Sequence, residues 1–140
     1  MIFDTGSDRD QRALERLATE RVAWLTSVTP DGQPQTLPVW FLWTGGAILV
    51  YGDNRAQRNR NIAANPRVSF HFNDDGTGSD IVFIEGEATV DESAGPILEH
   101  SAYPAKYADW IVSSFQSPER YAERYNVPIV IRPTRGRSPY

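Results

Sequence analysis

The densest set of residues suited to chemistry lies in the segment 52–58, GDNRAQR, directly after a predicted strand. Gly52 permits a tight turn, and Asn54 is suited to cap a helix whose first backbone N–H groups would be free. Arg55 and Arg58 lie three residues apart and are predicted to share one face of the first helical turn. Free amides, a helix dipole and guanidinium groups that converge on one point can hold a phosphate. We therefore favour a phosphate site here; a solvated helix face is the alternative.

A second candidate is the segment 35–43, QTLPVWFLW, which reads as a strand. Pro38 cannot donate a ladder hydrogen bond, so it is expected at a sheet edge or a bulge, where neighbouring backbone groups are free to meet a ligand. Trp40 and Trp43 flank two further apolar residues, and each aromatic taken singly is more simply a core residue. A planar heterocycle lying across this strand would find apolar surface beside unpaired backbone donors.

The chain offers few catalytic groups of its own. Cysteine is absent, and His71 and His100 are far apart in sequence without the spaced carboxylates that a metal site needs. Glu85 and Glu87 alternate along a predicted strand and are expected to face solvent. An anion cradle and an apolar platform without an acid, base or nucleophile indicate a cofactor that performs the chemistry itself.

Composition limits the class of protein. The 140 residues suit one domain, and 40% hydrophobic with 23% charged residues argues against disorder. No run approaches the roughly 20 apolar residues of a membrane helix, and residues 1–10 do not resemble a secretory signal, so we expect a cytoplasmic protein with no membrane partner. The net charge is −4, yet residues 55–67 hold four arginines and no acid. So short a basic segment suits a small anion better than nucleic acid.

The order of predicted elements favours an α+β fold built mostly from strands. A helix over 7–21, for which Ser7 is suited as the N-cap, precedes the strands. Asp31-Gly32 and Gly45-Gly46 are typical of tight hairpin turns. Six strands are predicted, at 22–28, 35–43, 47–51, 67–73, 81–90 and 127–132, with helical segments at 55–64 and 92–125. Six antiparallel strands with few helices favour a closed or split barrel, because closure removes exposed edges.

Taken in order, these segments resemble the pyridoxamine 5'-phosphate oxidase-like family, and within it the subgroup that uses the deazaflavin coenzyme F-420. The resemblance rests on QTLPVWFLW followed by LVYGDNRAQRNRNIAANPRVSFHF, and extends over residues 10–90. It implies a six-stranded antiparallel split β-barrel, like that of FMN-binding proteins, with short flanking helices in one domain. Gln57 and Ile81 stand where the vitamin-metabolising oxidases carry arginine and glutamine, so pyridoxamine phosphate is not the expected substrate.

The resemblance also implies a site and a function. Arg58, with its neighbour Gln57 and help from Arg55, would hold the cofactor phosphate, and the strand around Pro38 would contact the ring system. The full set of implied cofactor-binding residues is Leu37, Pro38, Val39, Trp40, Gly52, Asp53, Arg55, Gln57 and Arg58. The site would form at the interface of a homodimer.

We expect an oxidoreductase that transfers a hydride between F-420 and a small organic acceptor such as a quinone or an enone. FMN is the alternative cofactor. A non-catalytic module that binds a flavin or haem, and a structural protein without a ligand, remain open from the sequence.

Overall fold

A computed structural model describes residues 2–138, and Met1, Pro139 and Tyr140 lie outside the described residues. The helices are α1 (Asp8–Thr19), α2 (Gln57–Ala64), α3 (Ala102–Lys106), α4 (Ala108–Phe115) and α5 (Pro118–Arg124). The strands are β1 (Ala23–Val28), β2 (Pro34–Val39), β3 (Leu42–Trp43), β4 (Ile48–Asp53), β5 (Arg67–His71), β6 (Phe83–Val90) and β7 (Tyr125–Arg137). Two single 3-10 turns, Glu92–Ala94 and Ile97–Glu99, lie between β6 and α3.

The strands form one antiparallel sheet in the order β2-β1-β5-β6-β7-β4-β3. Strands β2 and β3 stand at opposite ends of this order, yet only Trp40 and Phe41 separate them in the chain. A flat sheet of this order would hold its two ends about 29 Å apart, at ~4.8 Å per strand. The three Cα–Cα steps from Val39 to Leu42 span at most about 11 Å. The sheet therefore curls until its ends approach each other, which makes it a split barrel.

The predicted antiparallel barrel is confirmed, but it contains seven strands rather than six. The segment 35–43, predicted as one strand, divides into β2 and β3 because Trp40 and Phe41 carry the chain from one end of the curled sheet to the other. The last strand is also longer than the predicted 127–132. It pairs with β6 from Val90↔Ile129 to Phe83↔Arg137, and this partner extends it past Pro133.

Local turn chemistry is as predicted. Gly32 and Gly45 adopt φ values of 95° and 92°, which favour glycine, in the tight turns that join β1 to β2 and β3 to β4. Ser7 caps α1 by accepting a hydrogen bond from the backbone N–H of Asp10. Pro38 lies on β2, an end strand of the sheet that pairs with β1. The predicted edge position of this proline is thus confirmed.

Strand β4 is buried on both faces and separates two apolar clusters. Ile48 and Val50 belong to the cluster inside the barrel, whereas Leu49 and Tyr51 belong to a second cluster on the outer face. The outer cluster takes its remaining members mainly from the helical segment 97–121, including buried Tyr103, Tyr107, Ile111 and Tyr121. The C-terminal helices thus cover the outer face of β4. Among residues 2–138 no helix combines the length and apolarity needed to cross a membrane.

Candidate functional site

A cavity of about 180 Å³ lies where β2, β4, α2 and the C-terminal helices meet. Its walls are mostly apolar or aromatic, and a single charged side chain, that of Arg58, reaches it. The lining residues are Pro38, Val39, Trp40, Val50, Tyr51, Arg58, Phe115, Tyr121 and Tyr125. Four of the nine predicted site residues, Pro38, Val39, Trp40 and Arg58, therefore line one cavity.

The guanidinium of Arg58 is the chemically distinctive group of this cavity. Its Nε is buried without a hydrogen-bond partner, and no carboxylate among the described residues forms an ion pair with it. Burial lowers the pKa of Arg58, although arginine remains protonated in proteins. An unpaired cation beside an apolar wall is well suited to bind an anionic group of a ligand.

Helix α2 begins two residues later than expected, which corrects the predicted role of Asn54. The helix starts at Gln57 with Ala56 at its N-cap, and no side chain caps it. Asp53 organises the preceding turn instead, because its carboxylate accepts from the N–H of Arg55 at 2.9 Å and its carbonyl from the N–H of Ala56 at 3.0 Å. Arg55 consequently precedes the helix, is exposed, and does not share a first helical turn with Arg58.

Gly52 provides space beside Arg58. A Cβ atom at this position would lie 3.5 Å from Nη2 of Arg58 and 3.3 Å from Oδ1 of Asn59. The second distance is tighter than an ordinary van der Waals contact. A side chain at residue 52 would therefore push against Asn59 and lie against the guanidinium, which gives glycine a specific use here.

Five predicted residues do not line the cavity within this chain. Leu37 lies on the end strand β2 with 57% of its surface exposed. Gln57 is engaged on α2, where its side-chain amide donates to Asn61 Oδ1 at 3.1 Å and its Oε1 accepts from Arg60. Asp53 binds Nε of Arg124 at 3.2 Å. Arg55 is exposed before the helix, and Gly52 is the fifth predicted residue that does not line the cavity.

The aromatic wall was not predicted from the sequence. The indole of Trp40 is parallel to the rings of Tyr107 and Tyr121, with centroid distances of 4.5 and 5.1 Å and interplanar angles of 7° in both pairs. Phe115 meets Tyr121 edge-on at 5.0 Å, and Tyr121 stacks on Tyr125 at 4.7 Å. The four-residue spacing of Tyr121 and Tyr125 near the end of a helical segment was the available signal.

The protonation states around the cavity leave it without a base near neutral pH. Burial raises the pKa of Tyr51 to about 12 and raises the pKa of Tyr121 beyond that, so both phenols stay neutral. His71 and His100 do not line the cavity. No group of three or more His, Cys, Asp or Glu side chains within residues 2–138 is placed to hold a metal ion.

These residues fit part of a flavin-like coenzyme. Arg58 offers a partner for a phosphate, and the wall formed by Trp40 and Tyr121 offers contact for a planar ring. Pockets for whole ligands of drug size occupy roughly 300–1,000 Å³, which exceeds the volume enclosed here. One chain would therefore enclose only part of such a molecule, and the rest would extend beyond the cavity.

Fold and cavity together define a small α+β split β-barrel with a site that is aromatic on one side and cationic on the other. Residues 10–137 match the family model described as pyridoxamine 5'-phosphate oxidase. The chain belongs to this family. No curated protein sequence matches it.

Solved structures share the fold over nearly the whole chain. One, named F-420 reductase, is 26% identical, covers 88% of this chain and 94% of its own, and gives a TM-score of 0.65. An FAD-binding protein from Mesorhizobium loti is 18% identical, with 90% and 88% covered and a TM-score of 0.66. The heme storage protein HutZ from Vibrio cholerae is 15% identical, with 91% and 92% covered and a TM-score of 0.63. At these identities the last two demonstrate the common fold alone.

Proposed function

We propose that the chain is an oxidoreductase that binds coenzyme F-420 in this cavity and transfers a hydride between the deazaflavin and a small organic acceptor. The observation that carries the proposal is the unpaired, partly buried guanidinium of Arg58 opposite an aromatic wall. Membership of the pyridoxamine 5'-phosphate oxidase family and the 26% identity to an F-420 reductase support the choice of cofactor class.

The residues of the chain would bind and orient the coenzyme. Arg58 would pair with its phosphate, and the uncapped start of α2 would add backbone N–H groups and a positive dipole end. Val39 and Trp40, at the end of β2, would contact the ring system. Hydride chemistry is a property of the coenzyme when it is bound, which agrees with a cavity that lacks an acid or base near neutral pH.

We further propose that a second copy of the chain completes the site. The cavity within one chain is smaller than a whole coenzyme requires. The end strand β2 leaves residues 34–38 exposed, including the large apolar side chain of Leu37. In a homodimer, the predicted residues that do not line the cavity, such as Arg55 and Gln57, would be candidates for contact with the coenzyme of either copy. Sedimentation analysis should give twice the mass of one chain.

FMN is the alternative cofactor, since it offers the same pairing of a phosphate with a planar ring. Binding without turnover is a second function that the cavity supports, because none of its lining groups is an acid or base near neutral pH. Haem is less suited to the cavity, because His100 lies outside it with its Nε2 against the carbonyl of Ala94.

The deciding experiment is titration of the purified protein with F-420 and, separately, with FMN, followed by coenzyme fluorescence. We expect F-420 to bind with a dissociation constant of about 1 µM or below, and FMN to bind more weakly. Reduced F-420 in the complex should then be reoxidised by quinone or enone acceptors. If none of these acceptors reoxidises the bound F-420, the protein is a binding module. Binding of FMN alone would replace F-420 in the proposal, and binding of neither coenzyme would refute it.

A further inference from the structure

Phe41 is held by two neighbouring side chains from the end of α3. This residue is fully buried in the two-residue link that joins the ends of the curled sheet. Its N–H donates to the Tyr107 hydroxyl at 2.8 Å, and its carbonyl accepts from Nζ of Lys106 at 2.9 Å. Nζ also lies 3.7 Å from the centroid of the Phe41 ring. Lys106 and Tyr107 thus satisfy both backbone polar groups of a residue that pairs with no strand.

Tyr107 also contacts the residue of the cavity wall that lies one position earlier. Trp40 precedes Phe41 directly, lines the cavity, and stacks on the ring of Tyr107 at 4.5 Å. The Tyr107 hydroxyl, 2.5 Å from the carbonyl of Arg21, also ties this group to the start of β1. Tyr107 therefore contacts both the backbone of the link and one face of the indole, which Tyr121 also contacts.

Burial of the Lys106 charge lowers the stability of the fold, so stabilisation alone does not account for a lysine at this position. It is the only lysine of the chain. Burial, together with the charge of Arg21, lowers the pKa of Lys106 to about 8, and Glu20 partly opposes this effect. Its protonated form is thus less stable in the folded than in the unfolded chain, and stability rises with pH between about 8 and the usual value of 10.5. The protonated amine makes two favourable contacts with Phe41, a hydrogen bond to its carbonyl and a cation–π contact with its ring.

We propose that Lys106 and Tyr107 are positioning residues of the cavity, and that the proton on Lys106 sets how firmly Phe41 and Trp40 are held. Loss of this proton replaces a charge-assisted hydrogen bond by a weaker one and removes the cation from the Phe41 ring. The groups that face the ammonium are Arg21 and Glu20, which follow α1, and the neighbouring Tyr107. The identity of the ligand in this inference, a flavin-like coenzyme, rests on the proposed function.

The first test needs no coenzyme. Protein with isotope-labelled lysine gives one side-chain NMR signal from Lys106, and the indole N–H signal of Trp40 is identified by its loss in Trp40→Phe. We expect both signals to titrate with one midpoint, at a pH of about 8. In Lys106→Arg, which keeps its charge, the Trp40 signal should not titrate. A Trp40 signal that stays unchanged while Lys106 loses its proton would overturn the inference.

The second test uses the coenzyme, either F-420 or FMN, whichever binds. Between about pH 6 and about pH 10 the dissociation constant of the wild-type protein should rise about 3- to 10-fold more than that of Lys106→Arg. Comparison of the two proteins removes the ionisation of the coenzyme itself. Identical pH profiles would count against the positioning role. If neither coenzyme binds at any pH, the proposed function fails, and the Trp40 titration still decides the inference by itself.

Discussion

Asp53, the last residue of β4, and Arg124, the last residue of α5, form an ion pair with Oδ2 and Nε 3.2 Å apart. The same carboxylate accepts from the backbone and side chain of Arg55. Asp53 is thus committed to these two arginines, whereas Arg58, five residues further on, has no carboxylate partner within residues 2–138. This arrangement leaves one guanidinium available in the cavity and ties the C-terminal helices to the turn before α2.

The available guanidinium gives the first prediction. Arg58→Ala should weaken coenzyme binding by ~10–100-fold, the equivalent of ~1.5–3 kcal/mol, because it removes a charge-assisted hydrogen bond to the phosphate. The measurement is the dissociation constant from fluorescence titration.

Arg60→Ala is the matched control, since Arg60 lies on the same helix, is exposed, and bonds to Gln57 instead of reaching the cavity. We expect its dissociation constant to stay within about threefold of the wild-type value. Equal losses in both variants would show that general charge, rather than the position of Arg58, governs binding.

The Asp53 ion pair predicts a local response to acid. The backbone N–H of Arg55, followed by the side chains of Arg55 and Arg124, lowers the pKa of Asp53 to about 2. A carboxylate whose pKa is lowered by folding stabilises the native structure above its unfolded value of ~3.9 and loses this contribution as the pH falls towards its folded value. Helix α5 should therefore loosen between about pH 4 and about pH 2, as measured by amide hydrogen exchange.

Asp53→Asn should already show about two- to fivefold faster exchange in α5 at neutral pH, with little further change in that acid window. Glu123→Gln serves as its control, because Glu123 is exposed on the same helix and forms no ion pair with a described residue. It should keep the acid response of the wild type. The ion pair would have no role in holding α5 if Asp53→Asn and wild type exchanged alike at every pH.

Gly86 gives a prediction about the barrel itself. It is buried in β6 at a shift of register against β7, and a Cβ there would lie 2.8 Å from the backbone oxygen of Arg132. Gly86→Ala must therefore displace one strand from the other, and we expect a loss of about 1–3 kcal/mol in the free energy of unfolding. Thermal and denaturant unfolding measure this loss.

Gly46→Ala is the corresponding control, since a Cβ at Gly46 would meet no atom within 4 Å. Its free energy of unfolding should stay within about 0.5 kcal/mol of wild type. A comparably small effect of Gly86→Ala would mean that β6 and β7 adjust their separation easily at this point.

Features with local causes were accessible from the sequence. Gly32 and Gly45 adopt the positive φ that their turns require, Ser7 caps α1, and Pro38 lies on an end strand because it lacks a donor. Each follows from the conformational or hydrogen-bonding limits of a residue and its immediate neighbours. The cap assigned to Asn54 was wrong because the helix begins at Gln57, and the carboxylate of Asp53 accepts the N–H of Arg55 in the turn before it.

Residue types and their order were enough to predict the succession of strands and turns, an antiparallel barrel and a candidate site around Arg58. Only the tertiary structure brought Phe115, Tyr121 and Tyr125 to the wall beside Trp40 and paired Asp53 with Arg124. These contacts join residues more than 60 positions apart, and no local preference specifies them. They form because the outer face of β4 carries apolar side chains, and the C-terminal helices bury their aromatic side chains against that face.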